Sequence, residues 1–257
     1  MDTHDCAGQP SRKRTRSDSQ IPEAVTDHDR FKTGDFAVIS SDNVRFRVDG
    51  HYLQTYSAVF RGMLSGPATG NREIHLSDPT LEHSTTIELF LELVTNSSLD
   101  LTQSVVRLIR LVHFLNKYDC ASTLKLVRLR LLAFLISGKV TVEHFTLAAV
   151  MDDVDLCVTV IDHMTRGAPW GWEPVAGGQR CLASSVRRGT DSLNPQNMPL
   201  WLWVLVPSVY QWALSRTFAI VWSPGMPYFR ETFKEHVEAA MKCVQQNPTC
   251  TWTLRDA

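Results

Sequence analysis

The chain has 257 residues, of which 44% are hydrophobic and 21% are charged, and its formal net charge at pH 7 is -1. This composition is typical of a globular protein with one large domain or two small ones. The near-zero charge excludes a global field that attracts nucleic acid or an anionic membrane. We therefore expect neither of these as a direct partner.

The cysteines and the N-terminus indicate the compartment. Six cysteines are scattered along the chain with no Cys-x-x-Cys pair, which argues against a zinc site and a disulfide framework. The first residues are polar and basic and contain no apolar segment of the secretory kind. We therefore expect an intracellular protein, cytoplasmic or nuclear, with free thiols.

Residues 1–32 are rich in Asp, Ser, Arg, Thr and Pro and have no apolar period, which predicts a disordered basic tail. A basic cluster in this tail fits either a solvated tail or a short nuclear-import signal. The solvated tail is the simpler interpretation. The cluster consists of Arg12, Lys13, Arg14 and Arg16.

Short strands and helices are predicted next. Residues 35–39 and 44–48 have strand propensity and flank a Ser-Ser-Asp-Asn turn, which predicts a β-hairpin. A helix is predicted over residues 57–64 and a third strand over residues 73–76. Asp78 and the proline after it predict the start of another helix, because Asp caps free amides and Pro loses no hydrogen bond there.

A leucine-rich helical hairpin follows. Residues 103–117 are polar at every third position and apolar almost everywhere else, which predicts a mostly buried helix. A second helix is predicted over residues 120–136, capped by Asp119, so that the two form a hairpin. Further helices are predicted over residues 141–149 and 152–165.

The hairpin and the helices after it carry opposite charges. Residues 101–140 contain seven Lys or Arg and one acid, whereas residues 141–165 contain five acids and no Lys or Arg. One interpretation is a basic groove for an acidic partner. We favour the other, in which the later helices pack beside the hairpin and neutralise it, because the two segments adjoin and nearly cancel.

The C-terminal third shows less hydrophobic periodicity. We predict an irregular linker over residues 166–199 and a helical extension over residues 200–257. The apolar run from Leu200 is broken at Pro207, whereas a membrane span needs about 20 apolar residues, so we predict a buried helix instead. A final amphipathic helix is predicted over residues 227–245.

No catalytic motif is found. The sequence lacks a Gly-x-x-x-x-Gly-Lys-Ser/Thr phosphate loop, a His-Glu-x-x-His metal motif and a Gly-x-Ser-x-Gly elbow. The nine histidines are isolated, and Cys120 and Cys157 fit small buried hydrophobes. We therefore expect no enzymatic activity, no cofactor and no metal site.

Five short motifs follow one another between residues 33 and 165. They are an Asp-Phe strand start, a Phe-x-Val strand, a Leu-x-x-x-Ser-x-x-Phe-x-x-Met-Leu helix, an Ile-x-Leu-x-Asp segment before the next helix and a Lys-Tyr-Asp bend. The motifs lie at Asp35, Phe36, Phe46, Val48, Leu53, Ser57, Phe60, Met63, Leu64, Ile74, Leu76, Asp78, Lys117, Tyr118 and Asp119. Each motif is common by itself, whereas their order and spacing are fairly specific. In this order and spacing, residues 33–165 resemble a BTB/POZ domain of the fungal type.

The resemblance implies an α+β fold, with a small sheet of short strands flanked by a cluster of helices, and a protein-binding function. It implies pairing with a second copy or another protein through an apolar helical face. Phe60 fits the core better than this face. Asp49 stands where the family often has His, which weakens the transfer of family contacts. The interface candidates are Asp49, Leu53, Tyr56 and Val59.

Three functions remain open under this resemblance. The first is a homodimeric scaffold or regulatory protein. The second is a substrate adaptor of a cullin-type ubiquitin ligase, although no separate substrate-reading domain is visible. The third is a nuclear, transcription-linked regulator, which the basic cluster alone supports. A further hypothesis, an enzyme in the C-terminal third, is supported by no sequence motif.

Overall fold

The computed structural model describes residues 24–66, 72–96, 99–136, 140–166, 193–221 and 228–246. Within these ranges, four short strands form one sheet, and the remaining elements are helices. The protein therefore has an α+β architecture, as the sequence predicts.

The sheet has the strand order β1-β3-β2-β4, in which β2 and β3 are antiparallel and the outer pairs are parallel. The predicted hairpin is confirmed: β2 and β3 join through a turn in which Asn43 has φ 60°, a conformation that Asn tolerates better than most residues. The strands are β1 (Thr26–Lys32), β2 (Phe36–Ile39), β3 (Val44–Val48) and β4 (Glu73–His75).

The described part of the chain contains ten helices. Those predicted in the leucine-rich hairpin and after it agree with the structure to within a few residues, whereas α1 has no counterpart in the prediction. They are α1 (Gly50–Tyr56), α2 (Ala58–Leu64), α3 (Ser84–Asn96), α4 (Val105–Lys117), α5 (Ala121–Ile136), α6 (Val142–Val150), α7 (Val154–Arg166), α8 (Leu200–Trp203), α9 (Ser208–Ile220) and α10 (Phe229–Gln246).

Strand β1 corrects the prediction that residues 1–32 are disordered. It pairs in parallel with β3, with an irregular register. Its aromatic side chains hold it in place, because the rings of His28 and Phe31 lie 4.5 and 6.0 Å from that of Phe46. Residues 1–23, which include the basic cluster, lie outside the described residues.

Two predicted caps are also corrected. The helix predicted to start at Asp78 begins at Ser84, whose backbone N–H donates to Asp42 at 2.8 Å. Asp119 ends α4 and does not cap α5, because its φ of 48° is left-handed. Its N–H and that of Cys120 donate back to carbonyls of α4, which is the Schellman pattern of a helix C-terminus.

Two hydrophobic cores share helix α4. The sheet core contains buried residues of β2, β3 and α1–α3, and the helical core contains those of α6, α7, α9 and α10. Helix α4 contributes Phe114 and Leu115 to the sheet core and Leu108 and Val112 to the helical core. Both sides of α4 are therefore buried, which explains its narrow polar stripe.

The boundary predicted at residue 165 does not coincide with a boundary of the core. Helix α6 packs on α10 through Phe145 and Phe233, whose ring centroids are 5.9 Å apart. Leu193, from the predicted linker, is buried in the same core, while residues 167–192 lie outside the described part. The C-terminal helices are therefore built into the fold.

Candidate interaction surface

The Ser-x-x-Phe helix and the Lys-Tyr-Asp bend meet in the structure. The hydroxyl of Ser57 accepts a hydrogen bond from the N–H of Phe60 at 3.0 Å and donates one to the carbonyl of Tyr118 at 2.6 Å. The rings of Phe60 and Tyr118 stack with centroids 4.5 Å apart and planes 6° apart. The two motifs, 61 residues apart in sequence, therefore fix each other's position.

A buried carboxylate extends this contact. Glu82, which is 3% exposed, accepts hydrogen bonds from the Tyr118 hydroxyl at 2.6 Å and from the backbone N–H of Asp78 at 2.7 Å. The Nζ of Lys117 lies 2.7 Å from Glu82 and 2.9 Å from the carboxylate of Asp78. We call these four residues the Glu82 network.

The electrostatics of the Glu82 network are those of a structural ion cluster. Burial by itself raises the pKa of Glu82, but the hydrogen bonds from Lys117 and Tyr118 outweigh burial and leave this pKa lowered. Burial and the neighbouring carboxylate raise the pKa of the Tyr118 hydroxyl. Glu82 is therefore ionised and Tyr118 neutral at pH 7, each in the form that its partner requires.

The buried thiols are equally inert. Cys120 and Cys157 are both fully buried, as the sequence predicts. Burial raises the pKa of Cys120 to about 12 and that of Cys157 well above its usual value. Both groups are therefore protonated at neutral pH and lack the thiolate that nucleophilic chemistry requires.

The structure separates the predicted interface residues. Leu53 is 0% exposed and belongs to the sheet core, so its prediction as an interface residue is wrong. Phe60 is buried, as expected. Asp49 is exposed and caps α1 by accepting the N–H of His51 at 2.9 Å. Tyr56 remains partly exposed.

Partly exposed apolar side chains remain on the two contacting helices α1 and α2, and Tyr52, Tyr56 and Val59 among them also pack in part against the sheet core. Tyr52 and Tyr56 are four residues apart on α1, and Val59 and Met63 are four residues apart on α2, so each pair shares one side of its helix. The Met63 side chain is 53% exposed. We call these four residues the α1–α2 face; the sequence motif assigns two of them to the interface and misses Tyr52 and Met63.

An open cleft of about 380 Å³ adjoins Tyr52. It lies between β1, β3 and the beginning of α1, and its lining includes Phe31, Arg47 and Asp49. Arg30, also in the lining, forms an ion pair with Glu92 of α3. The cleft gives the α1–α2 face a concave border with both charge signs.

The predicted neutralisation of the hairpin is confirmed at Asp153. Asp153 forms an ion pair with Arg128 of α5. In contrast, Asp155 and Asp162 pair with Lys234 and Arg230 of α10, at 2.9 and 2.8 Å. Two of the five acids of this segment therefore pair with the C-terminal helix, and one pairs with the hairpin.

Within the described ranges, no group of three His, Cys, Asp or Glu side chains is placed to hold a metal ion. None of the helices in these ranges combines the length and the hydrophobicity needed to cross a bilayer. Comparison with known proteins finds no family model, no curated protein and no solved structure that matches this chain.

Proposed function

We propose that the chain is a BTB/POZ-like protein-interaction module that acts as a homodimeric scaffold or regulatory protein without catalytic activity. The contact of Ser57 and Phe60 with Tyr118 supports this, because it joins the two motifs on which the resemblance depends. In this proposal the motif residues hold the scaffold together, and a second copy binds to a surface that the scaffold presents.

The α1–α2 face is the observation that carries the proposal. Leu53 and Phe60 anchor α1 and α2 to the sheet core, against which the two tyrosines and Val59 of the face also pack in part, so the exposed part of the face is held in place. Tyr and Met are enriched in the cores of protein interfaces. A stable dimer buries roughly 800 Å² on each partner, so we expect the second copy to reach beyond Met63 to the cleft beside Tyr52.

The ionisable groups of the core support a non-catalytic function. Glu82 and Lys117 are committed to each other and to Asp78 and Tyr118. The thiol of Cys120 is protonated and donates weakly to a backbone carbonyl. In this proposal these groups hold the segment before α3 against the end of α4 and the bend after it, and they take no part in a reaction.

Light scattering of the full chain tests the proposal. We expect the wild-type protein at high micromolar concentration to have twice the chain mass of 29.0 kDa. Met63→Glu places a charge in the proposed interface and should give a monomer, because an unpaired buried charge is strongly unfavourable.

Ile220→Glu on α9 is the matched control, since Ile220 is 58% exposed, close to the 53% of Met63. This variant should remain a dimer. Circular dichroism checks that both variants keep the wild-type helix content. A monomeric wild-type chain, or a dimer that Met63→Glu leaves intact, would contradict the proposed self-association.

A further inference from the structure

Helix α5 is apolar on two opposite sides. Its inner side buries Val127, Leu131 and Leu135. Its outer side carries Leu129 and Ile136, which are 59% and 81% exposed, and an exposed Ala133 lies between them. Residues spaced by four and three positions form one line along a helix. We call Leu129, Ala133 and Ile136 the α5 stripe.

The surroundings of the α5 stripe are cationic. Lys125 lies one turn before Leu129, and Arg130 directly follows it; both are exposed. Neither α5 nor α4, which packs against it, contains an acidic residue. Arg107 and Arg110 of α4 are also exposed, and within the described ranges neither forms an ion pair.

The acids nearest in sequence do not pair with Lys125 within the described ranges. Asp155 and Asp162 are held by α10, and Asp152 accepts a hydrogen bond from the hydroxyl of Tyr210 at 3.0 Å. Asp153 neutralises Arg128 and leaves Lys125 beside the stripe. An exposed apolar line with the cation of Lys125 at its beginning therefore persists in the folded protein.

We propose that the α5 stripe binds an acidic amphipathic helix of a different protein. A line of apolar side chains at i, i+4 and i+7 is the geometry that one helix offers to the apolar side of another. Acidic residues beside the apolar side of the partner would face Lys125 and the basic residues near it. Such charge complementarity accelerates association and selects against basic partners.

Within the described ranges, no helix of a second copy offers the required complement. The other described helices that expose large apolar side chains are α2, α8 and α9, through Met63, Leu200, Trp201 and Ile220. None of these helices contains an acidic residue. The inference does not depend on the proposed self-association, because the α5 stripe and the α1–α2 face have no residue in common.

Fluorescence anisotropy with the full chain tests the inference. The probe is a labelled helical peptide with Leu at i, i+4 and i+7 and Glu at the flanking positions; its partner probe has Lys in place of each Glu. We expect the acidic peptide to bind at least tenfold more tightly. Ile136→Glu should weaken its binding tenfold or more, and Lys125→Glu should reverse the preference between the two peptides.

Ile220→Glu on α9 is again the control, because it makes the same change at another exposed isoleucine and should leave binding unchanged. All substituted residues are exposed, so their effects on folding should be small, and circular dichroism verifies this. Met63→Glu should also bind the acidic peptide normally, which separates this inference from the proposed dimer.

Equal binding of the two peptides would overturn the inference, as would acidic-peptide binding that Ile136→Glu and Lys125→Glu leave unchanged. Vesicles of anionic phospholipid form a third arm of the experiment. Binding to these vesicles without binding to the acidic peptide would assign the stripe to a lipid surface and would equally overturn the proposal.

Discussion

The sheet core and the helical core are held together by different kinds of contact. In the sheet core, a buried ion and hydrogen-bond network connects the segment before α3 to the end of α4 and the bend after it, through Glu82, Lys117 and Tyr118. In the helical core, the large buried side chains are almost all apolar, and ion pairs such as Asp162 with Arg230 lie at its edge.

This difference explains why a family resemblance is visible in one half of the chain only. Contacts such as Ser57 to Tyr118 need particular atoms at particular positions, so they leave short motifs in the sequence. Apolar packing accepts many side chains of similar volume. It therefore leaves a periodic pattern of apolar residues in the sequence and no specific motif. The helical core is as much part of the fold as the sheet core, although no motif marks it.

The largest expected effects test whether the two cores unfold together. Phe60→Ala in the sheet core and Phe233→Ala in the helical core should each cost about 3–5 kcal/mol of unfolding free energy. Because α4 belongs to both cores, we expect one cooperative transition. All seven tryptophans follow residue 166, so tryptophan fluorescence reports on the C-terminal third alone.

Urea unfolding is followed by tryptophan fluorescence and by far-UV circular dichroism, and the midpoints of the two signals are compared. In Phe60→Ala, far in sequence from any tryptophan, both signals should shift by the same amount. Tyr228→Ala, at a residue that is 74% exposed, should leave both near the wild-type midpoint. A fluorescence transition that Phe60→Ala does not move would show that the C-terminal helices unfold independently.

Removal of a buried carboxylate should lower the free energy of unfolding far more than removal of an exposed one. Glu82→Ala leaves the Tyr118 hydroxyl and the Asp78 N–H without their acceptor, at an expected cost of about 2–3 kcal/mol. Glu238→Ala, on the exposed side of α10, should change the unfolding free energy by less than about 0.5 kcal/mol. Equal losses in the two variants, measured by urea unfolding, would remove the Glu82 network as a determinant of the fold.

The elements that local pattern encodes are predictable from this sequence. The hairpin follows from alternation in β3, and α4 follows from its three-residue polar period. The motif also predicts correctly that Phe60 is buried. In each case the information lies within one element and its immediate neighbours.

The errors arise where the deciding partner is distant in sequence. Asp42 caps α3 from 42 residues away, so the start of α3 cannot be read from Asp78. Strand β1 depends on Phe46, which its own composition does not reveal. Leu53 is buried because α1, which lacks a helix signature in the sequence, directs it into the sheet core.

The pH dependence of stability should also distinguish the two cores. Hydrogen bonds from Thr80 and Lys117 lower the pKa of Asp78, and those from Lys117 and Tyr118 outweigh burial to lower that of Glu82. The unfolded pKa values are about 3.9 and 4.3. The unfolded state therefore binds more protons in acid, and the stability present above these values is lost as the pH falls through the folded pKa values.

Lys117→Met removes the cation that both carboxylates share, so its stability should fall less steeply between about pH 5 and pH 3 than that of the wild type. Lys234→Met affects the lowered pKa of one exposed carboxylate, Asp155, and should change the slope less. Urea midpoints across this range provide the measurement. If stability changed with pH equally steeply in the wild type and in Lys117→Met, Lys117 would not control the titration of Asp78 and Glu82.

The smallest expected effect concerns an ion pair at the edge of the helical core. Arg230 lies 2.8 Å from Asp162, but its side chain is 43% exposed, so a double-mutant cycle with alanine should give a coupling of about 0.5 kcal/mol. The Lys117–Glu82 cycle should give about 1 kcal/mol or more, because the Glu82 side chain is 4% exposed. Added salt should weaken the first coupling and leave most of the second, since buried pairs are screened less. If the Arg230 pair proved the stronger and the more salt-resistant, specific polar contacts would hold the helical core as well, and the absence of a recognisable motif there would need another cause.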